Sequence, residues 1–269
     1  MTRPTDLYDS TYSRFSEQVL AAVRAAAFGE DIGQNSWLTV DELDRFLSWL
    51  ELSPAHRVLE VAGGSGGPAL HLAERAGCDV TGIDVNEHGI ATATRSALDR
   101  GLADRVRFAR TDATARLEFA DDAFDALVCI DAMNHFPDRR GVLREWCRVL
   151  RPGRRAVFTD PVVISGPVTG DELARRSSIG PFLFVPAGAN ERLIAQAGLQ
   201  LVRTEDVTAN AEKVSGRWHR ARQEHATELL RIEGAERFEG LQRFLLAVEQ
   251  LSAERRLSRI AYLVQKPVG

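Results

Sequence analysis

RVLEVAGGSGGPALHLAERAGCDVTGIDVN, residues 57–86, decides how the rest of the chain is read. Arg57 to Val61 is a short apolar run of strand character, and it enters the loop Ala62-Gly63-Gly64-Ser65-Gly66-Gly67. Pro68 to Ala76 is rich in alanine and leucine; Pro68 suits a first helical turn, where a missing N–H costs nothing. Asp79 to Ile83 is a second strand-like run that ends on an acid, Asp84. Strand, glycine loop, helix, strand and terminal carboxylate form one βαβ unit, the architecture of a nucleotide-binding crevice.

The residue types follow from what such a loop must do. Glycines lacking Cβ let the backbone turn sharply and approach a ligand. The free N–H groups of the following helix favour a carboxylate or a phosphate. An acid about twenty residues beyond the loop accepts hydrogen bonds from both hydroxyls of a ribose. Two cofactor classes fit this much, beside a glycine turn that holds nothing. Gly64-x-Gly66-x-x-Ala69 satisfies the dinucleotide fingerprint of a nicotinamide cofactor. Glu60, however, ends the first strand just before the loop. A carboxylate there repels a pyrophosphate and attracts an ammonium or a sulfonium, and S-adenosylmethionine carries both.

The acid-x-small-x-Gly-x-Gly pattern of Glu60, Ala62, Gly64 and Gly66 resembles motif I of the class I S-adenosylmethionine-dependent methyltransferases. Ala62 stands where that family has its first glycine, and an alanine is expected to hold a negative φ there. The resemblance covers about Arg57 to Pro267. More loosely, the additions at the N-terminus and before the last strand resemble the cap of small-molecule methyltransferases of the sarcosine/dimethylglycine and antibiotic-tailoring groups. It implies S-adenosyl-L-methionine as cofactor and methyl transfer to nitrogen or oxygen of a small metabolite or natural product. Glu60, Ala62, Gly63, Gly64, Ser65 and Gly66 are expected to hold the methionine part, and Asp84 with Val85 the ribose. Asp112 and Ala113 match the family's adenine position, and Ile130 with Asp131 the position that lines the methyl-donating sulfur.

Composition bounds the alternatives. The 269 residues suit one core with helical additions, and 44% hydrophobic with 27% charged residues is ordinary globular usage. A net charge of −4 argues against nucleic acid, which needs a basic footprint. The pairs Arg139-Arg140, Arg175-Arg176 and Arg255-Arg256 read as solvated helix faces. Cys78, Cys129 and Cys147 lack metal-ligand spacing and read as buried free thiols in a reducing cytoplasm. Neither a signal peptide nor an apolar run near eighteen residues is present, so no membrane partner and no export are expected. A small molecule is the expected partner, and a homodimer is left open.

Strands and helices then alternate as in an α/β sheet wound on both faces. Strands are predicted at 106–109, 126–130, 156–159, 199–207 and 259–264, giving a Rossmann-like, seven-stranded, mostly parallel sheet. The resemblance implies an antiparallel last strand. Residues 1–54 are expected to form an N-terminal helical flap. In it, residues 1–11 are loose, one helix spans Thr11 to Ala27, and a Thr39/Glu42 capping box starts the next. Residues 55–269 would form the cofactor-binding domain, with a helical cap at about 208–253 holding two long helices. Arg151 to Arg154 reads as a turn, Asp160 to Pro186 as a connecting lobe, and Asn190 as a helix cap.

His135 is the sharpest catalytic candidate, placed just after the fourth strand at the mouth of the crevice; an imidazole near pKa 6.5 can take a proton from a hydroxyl or an ammonium. A purely structural histidine is the alternative. Tyr12 and Gln34 are candidates to touch the cofactor if the N-terminal segment folds over it. Trp37, Asn134, Trp218 and His219 are candidates to line the acceptor pocket. No metal is expected: Asp131 and Asp160 end neighbouring strands, but Pro161 follows the second. The rival functions are an NAD(P)-dependent oxidoreductase, disfavoured by Glu60, and a non-catalytic S-adenosylmethionine-binding protein.

Overall fold

The computed structural model describes residues 6–268. Three helices, α1 (Asp6–Tyr12), α2 (Gln18–Phe28) and α3 (Val40–Trp49), precede the first strand. The core then runs β1 (Arg57–Val61), α4 (Gly67–Ala76), β2 (Asp79–Asp84), α5 (Glu87–Asp99), β3 (Val106–Arg110), β4 (Phe124–Cys129), α6 (Arg139–Val149) and β5 (Leu150–Ile164). It continues through α7 (Gly170–Arg176), β6 (Val185–Pro186), α8 (Ala189–Gln196) and β7 (Gln200–Asp206). A cap of α9 (Thr208–Glu224), α10 (Ala226–Glu233) and α11 (Ala235–Ala253) leads to β8 (Leu257–Gln265).

The sheet order is β3-β2-β1-β4-β5-β8-β7, parallel except for β8, which runs antiparallel to β5 and β7. β1 pairs with β2 on one side and β4 on the other, so the winding reverses beside it. The crevice beyond the carboxyl ends of β1 and β4 is therefore the switch point where ligands bind in such sheets. Period-two alternation assigns the two faces. Leu59, Leu127, Cys129 and Phe158 face a layer containing Trp146 of α6 and Ile194 of α8. Val58, Ala126, Val128 and Val157 face Leu43 and Phe46 of α3 and Leu70 of α4. A third cluster joins Phe28 of α2, Trp37, Val214 of α9 and Phe244 of α11, so the N-terminal segment and the cap share a core.

Several local expectations are corrected by tertiary contacts. An eighth strand, two residues long, pairs β6 with the end of β5 inside the lobe read as irregular. The expected turn at 151–154 lies within β5, because Gly153 (φ +77°) and Arg154 bond to Lys266 near the chain end. The helix expected over 11–27 is broken between α1 and α2. Arg24 there donates to the Phe15 carbonyl (2.8 Å) and lies over the Phe15 ring, holding the break. Residues 6–11, read as loose, are helical; residues 1–5 lie outside the described residues. Thr39 makes no side-chain cap bond, since Glu42 turns to Arg259 instead. Gly188 precedes α8, and Asn190 is buried inside it, donating to Asp160 (2.7 Å) and accepting from Arg139 (2.9 Å). The cap has three helices rather than two, interrupted at His225 and Gly234. Of the three thiols, Cys147 is only half-buried.

Asp131, one residue past Ile130 at the end of β4, ties these parts together. Its Oδ1 accepts from Arg259 Nε of β8 (2.7 Å) and from the Thr159 hydroxyl of β5 (2.7 Å). Its Oδ2 accepts from the Trp37 N–H (2.9 Å). Arg259, 1% exposed, also donates to Glu42 of α3. Burial pulls the Arg259 pKa down, but the charges of Asp131 and Glu42 outweigh it and hold it above the usual value. Removing one partner of a buried ion pair strands the others without compensation. Arg259→Ala is accordingly expected to cost about 3–5 kcal/mol, read as a fall in the urea midpoint.

Candidate active site

The loop after β1 carries a backbone that its residue types do not all favour. Ala62 has φ +57°, against the negative value expected, and is held there by the bond from Gly63 N–H to the Ile83 carbonyl (3.1 Å). Gly64 has φ +55°, and a Cβ on it would strike the Tyr12 hydroxyl of α1. A Cβ on Gly63 would strike the Glu60 carboxylate, which lies directly beneath the loop. Gly64 donates to Asp84 Oδ2 (2.8 Å) and Asn86 N–H to Asp84 Oδ1 (2.8 Å), so each oxygen keeps a free lone-pair direction. Ser65 does not face the crevice with its hydroxyl, which donates to the Gly33 carbonyl (2.6 Å).

Glu60 is 3% exposed, and its Oε2 has no hydrogen-bond partner among the described residues. Burial first, then the charge of Asp84, pushes its pKa up to about 8. A buried carboxyl without a cation beside it is costly, and a cationic ligand would relieve that cost. Close glycine approach, the unbonded Ser65 amide, a buried acid with an unpartnered oxygen and the acid ending β2 together fit S-adenosylmethionine; a pyrophosphate would meet the buried acid without compensation.

The remaining sequence candidates divide. Val85 is 56% exposed and Ile130 half-buried at their strand ends. Ala113 is buried, while exposed Asp112 accepts from the Thr114 N–H (2.8 Å) and hydroxyl (2.7 Å). Asp131 carries its carboxylate in the Arg259 network rather than free in the crevice. Gln34 is corrected: its amide is satisfied within its own loop by Ile32 N–H (2.9 Å) and the Glu30 carbonyl (2.9 Å). His219 is corrected too, since it lies outside the pocket lining, with Glu249, Arg220 and Arg222 as the charges around it. Asp131 and Asp160 are both taken up by ion pairs. Each holds an arginine, Arg259 and Arg139, and no group of three or more His, Cys, Asp or Glu among the described residues is arranged for a metal ion.

A pocket opens against α1, the helix whose Tyr12 lies over Gly64 of the glycine loop. Trp37, Trp218, Phe182, Phe244 and Leu241 wall it, and Asp131 and Asn134 stand at its inner end with Tyr8. Trp37 stacks on Phe244 (5.9 Å between centroids) and meets Trp218 edge-on (6.2 Å). Tyr8 and Tyr12 stack at 6.2 Å, which brings the loop-facing and pocket-facing rings of α1 side by side. Tyr8 hydroxyl sits 2.8 Å from His135 Nε2, and Asn134 Nδ2 sits 3.1 Å from the same nitrogen. Burial, then the charges of Arg176 and Arg139, lowers the His135 pKa to about 4, so the ring is neutral. Burial raises that of Tyr8, which stays a phenol and donates.

Tyr8, Arg176 and Phe182 are pocket residues that the sequence did not announce. Tyr8 falls in the stretch read as loose, and Arg176 (2% exposed) and Arg139 (5% exposed) belong to arginine pairs read as solvated. The spacing of the first tyrosine four residues before Tyr12, one helical turn, was the available signal.

Residues 58–153 match the family model described as a methyltransferase domain. The chain is 38% identical over 165 residues to Methyltransferase GfsG of Streptomyces halstedii, covering 59% of this chain and 58% of that protein's length. It is 29% identical over 253 residues to the 27-O-demethylrifamycin SV methyltransferase of Amycolatopsis mediterranei (strain S699), covering 89% and 87%. It is 30% identical over 214 residues to the O-methyltransferase cnsE of Penicillium expansum, covering 77% and 76%. The chain belongs to the class I S-adenosylmethionine-dependent methyltransferases.

Two measurements check this geometry. Ala62→Gly relieves a left-handed alanine and is expected to stabilise the fold by about 1 kcal/mol, read from the urea midpoint. His135, lowered when folded, binds a proton more readily when unfolded. Stability should therefore be full above about pH 6.5, the unfolded value, and fall as pH drops toward about 4. In thermal melts across that window, His135→Asn should flatten the slope; an unchanged slope would show that the ring is not held neutral.

Proposed function

We propose that this protein transfers the methyl group of S-adenosylmethionine to a hydroxyl oxygen of a bulky, largely apolar small molecule. The observation that carries the reading is the buried Glu60 carboxyl, its Oε2 unpartnered, under a glycine loop, with an aromatic-walled pocket on the adjoining α1. Two relatives described as methylating oxygen, one of them on a rifamycin, support an oxygen acceptor on a natural product. Nitrogen remains the second acceptor the fold serves.

In this reading the cofactor supplies an electrophilic methyl carbon on a sulfonium. Glu60 would hold its ammonium side, the loop 62–66 with the unbonded Ser65 amide the rest of its methionine part, Asp84 its ribose hydroxyls, and Asp112 with Ala113 its adenine. Val85 and Ile130 pack against it. Residues 1–54 act as a flap: α1 lies across the loop through Tyr12 on Gly64 and through Asp9, which accepts from Asn86 (2.6 Å). Trp37, Asn134 and Trp218 hold the acceptor and exclude water. An acceptor hydroxyl would take the place of the Tyr8 hydroxyl as donor to His135 Nε2, which would orient its oxygen for in-line attack and receive the proton that the oxygen gives up as the methyl–sulfur bond breaks and a neutral thioether leaves. An imidazole with a pKa near 4 is a weak base, so alignment rather than proton removal supplies most of the acceleration. Among the described residues no helix is long and apolar enough to cross a membrane. The three free cysteines support a reducing, cytoplasmic setting.

Isothermal titration with S-adenosylmethionine, S-adenosylhomocysteine and NAD tests the cofactor. Binding of the first two and none of the third is expected, and tight NAD binding alone would overturn the reading. Glu60→Gln should weaken S-adenosylmethionine about tenfold, roughly 1.4 kcal/mol, and Asp84→Ala should abolish binding.

A further inference from the structure

Among the described residues lining the pocket, one cation has no hydrogen-bond acceptor. Arg176, the last residue of α7, is 2% exposed and lines the pocket. Its Cζ lies 4.6 Å from the centroids of both Phe182 and Phe244. Those rings attract the charge but accept none of the in-plane N–H bonds that a guanidinium offers. No carboxylate, carbonyl or hydroxyl among the described residues bonds to it, and its buried Nη1 is without a partner.

Every other charged side chain lining the pocket is engaged. Arg24 pairs with Asp31 (3.0 Å), and Arg222 forms a bidentate pair with Glu233 (3.0 and 2.6 Å). Arg14 donates to the Ile232 carbonyl, Arg237 to the Thr11 hydroxyl (3.0 Å), and Asp131 is held by Arg259. The lining thus holds five arginines against two acids in a chain whose net charge is −4. Burial lowers the Arg176 pKa only to about 10, so the group is charged at neutral pH. A buried, charged and unbonded guanidinium costs several kcal/mol unless something satisfies it. Asn134 Oδ1, 1% exposed by residue and also unpartnered, adds an acceptor to the same wall.

We propose that Arg176 is an anion-binding subsite of the acceptor pocket, so that the molecule methylated here carries a planar oxyanion, of carboxylate type, on an apolar body. This rests on the methyltransferase reading and adds the charge of the substrate to it. The guanidinium fork matches two carboxylate oxygens, while the aromatic walls cover the apolar remainder. Neutral analogues leave the fork buried and empty, so the subsite selects against them.

Matched fluorescent probes test it. Pyrenebutyrate and pyrenebutanol share one apolar body and differ in the anion, and each is titrated against the full chain with and without S-adenosylhomocysteine. The wild type should bind pyrenebutyrate at least tenfold more tightly, and Arg176→Met should bring the two affinities together without lowering the melting temperature. Equal affinities in the wild type, or an undiminished preference in Arg176→Met, would overturn the subsite. Should Arg176→Met fail to fold, Arg176→Lys decides: it keeps a charge but not the fork, so a reduced preference is expected and an undiminished one overturns the bidentate subsite. Absence of S-adenosylhomocysteine binding by calorimetry would strike the methyltransferase reading alone, whereas equal probe affinities strike the anionic subsite alone.

Discussion

The buried Asp131–Arg259 ion pair, extended to Glu42, is the constraint on which the arrangement of the crevice depends. Its members come from the end of β4, from β8 and from α3, with Thr159 of β5 and the Trp37 amide completing the set. Without it, the antiparallel last strand, the segment before the core and the strand end at the crevice would have no common anchor. Asp131 carries this pair on a left-handed backbone (φ +53°), a conformation uncommon outside glycine, asparagine and aspartate. Strain of this kind persists only where the surroundings over-determine it, and four bonded elements do so here.

On either side of that anchor sits a polar group the fold buries and does not satisfy. Glu60 lies under the glycine loop, and Arg176 lies in the aromatic pocket. Protein interiors pair almost all such groups, so the unpartnered Glu60 Oε2 and Arg176 Nη1 call for an explanation. They are the observations on which the proposed cofactor contact and the proposed anion subsite rest. Between them, Tyr8 and His135 are held neutral by burial, one as donor and the other as acceptor.

Much of the first part was legible in the primary structure. The βαβ unit, the alternation of strands and helices and the acid at Asp84 follow from local propensity and from spacing along one segment. Glu60 was legible as an acid before a glycine bend, and its burial was not, because only the packing of Gly63 and Gly82 over the carboxylate removes it from water. The expected capping box at Thr39 failed for a similar reason: a local bond lost to a buried partner more than two hundred residues away. Gln34 and His219 were read from their neighbours in sequence, whereas the contacts that fix their amide and ring come from loop closure and from α11.

The chain by itself determined the sheet, the switch point and the character of the cofactor loop, since these rest on patterns within about thirty residues that any chain of this hydrophobic period must satisfy. Only the tertiary structure decided the acceptor pocket. Its walls come from α1, the segment before α3, the lobe after β5 and the cap helices, and nothing local brings Tyr8 to His135 or Phe244 to Trp37. It also decided which arginines are solvated. A charged pair in sequence has no burial until neighbouring elements close over one member, as they do over Arg139 and Arg176.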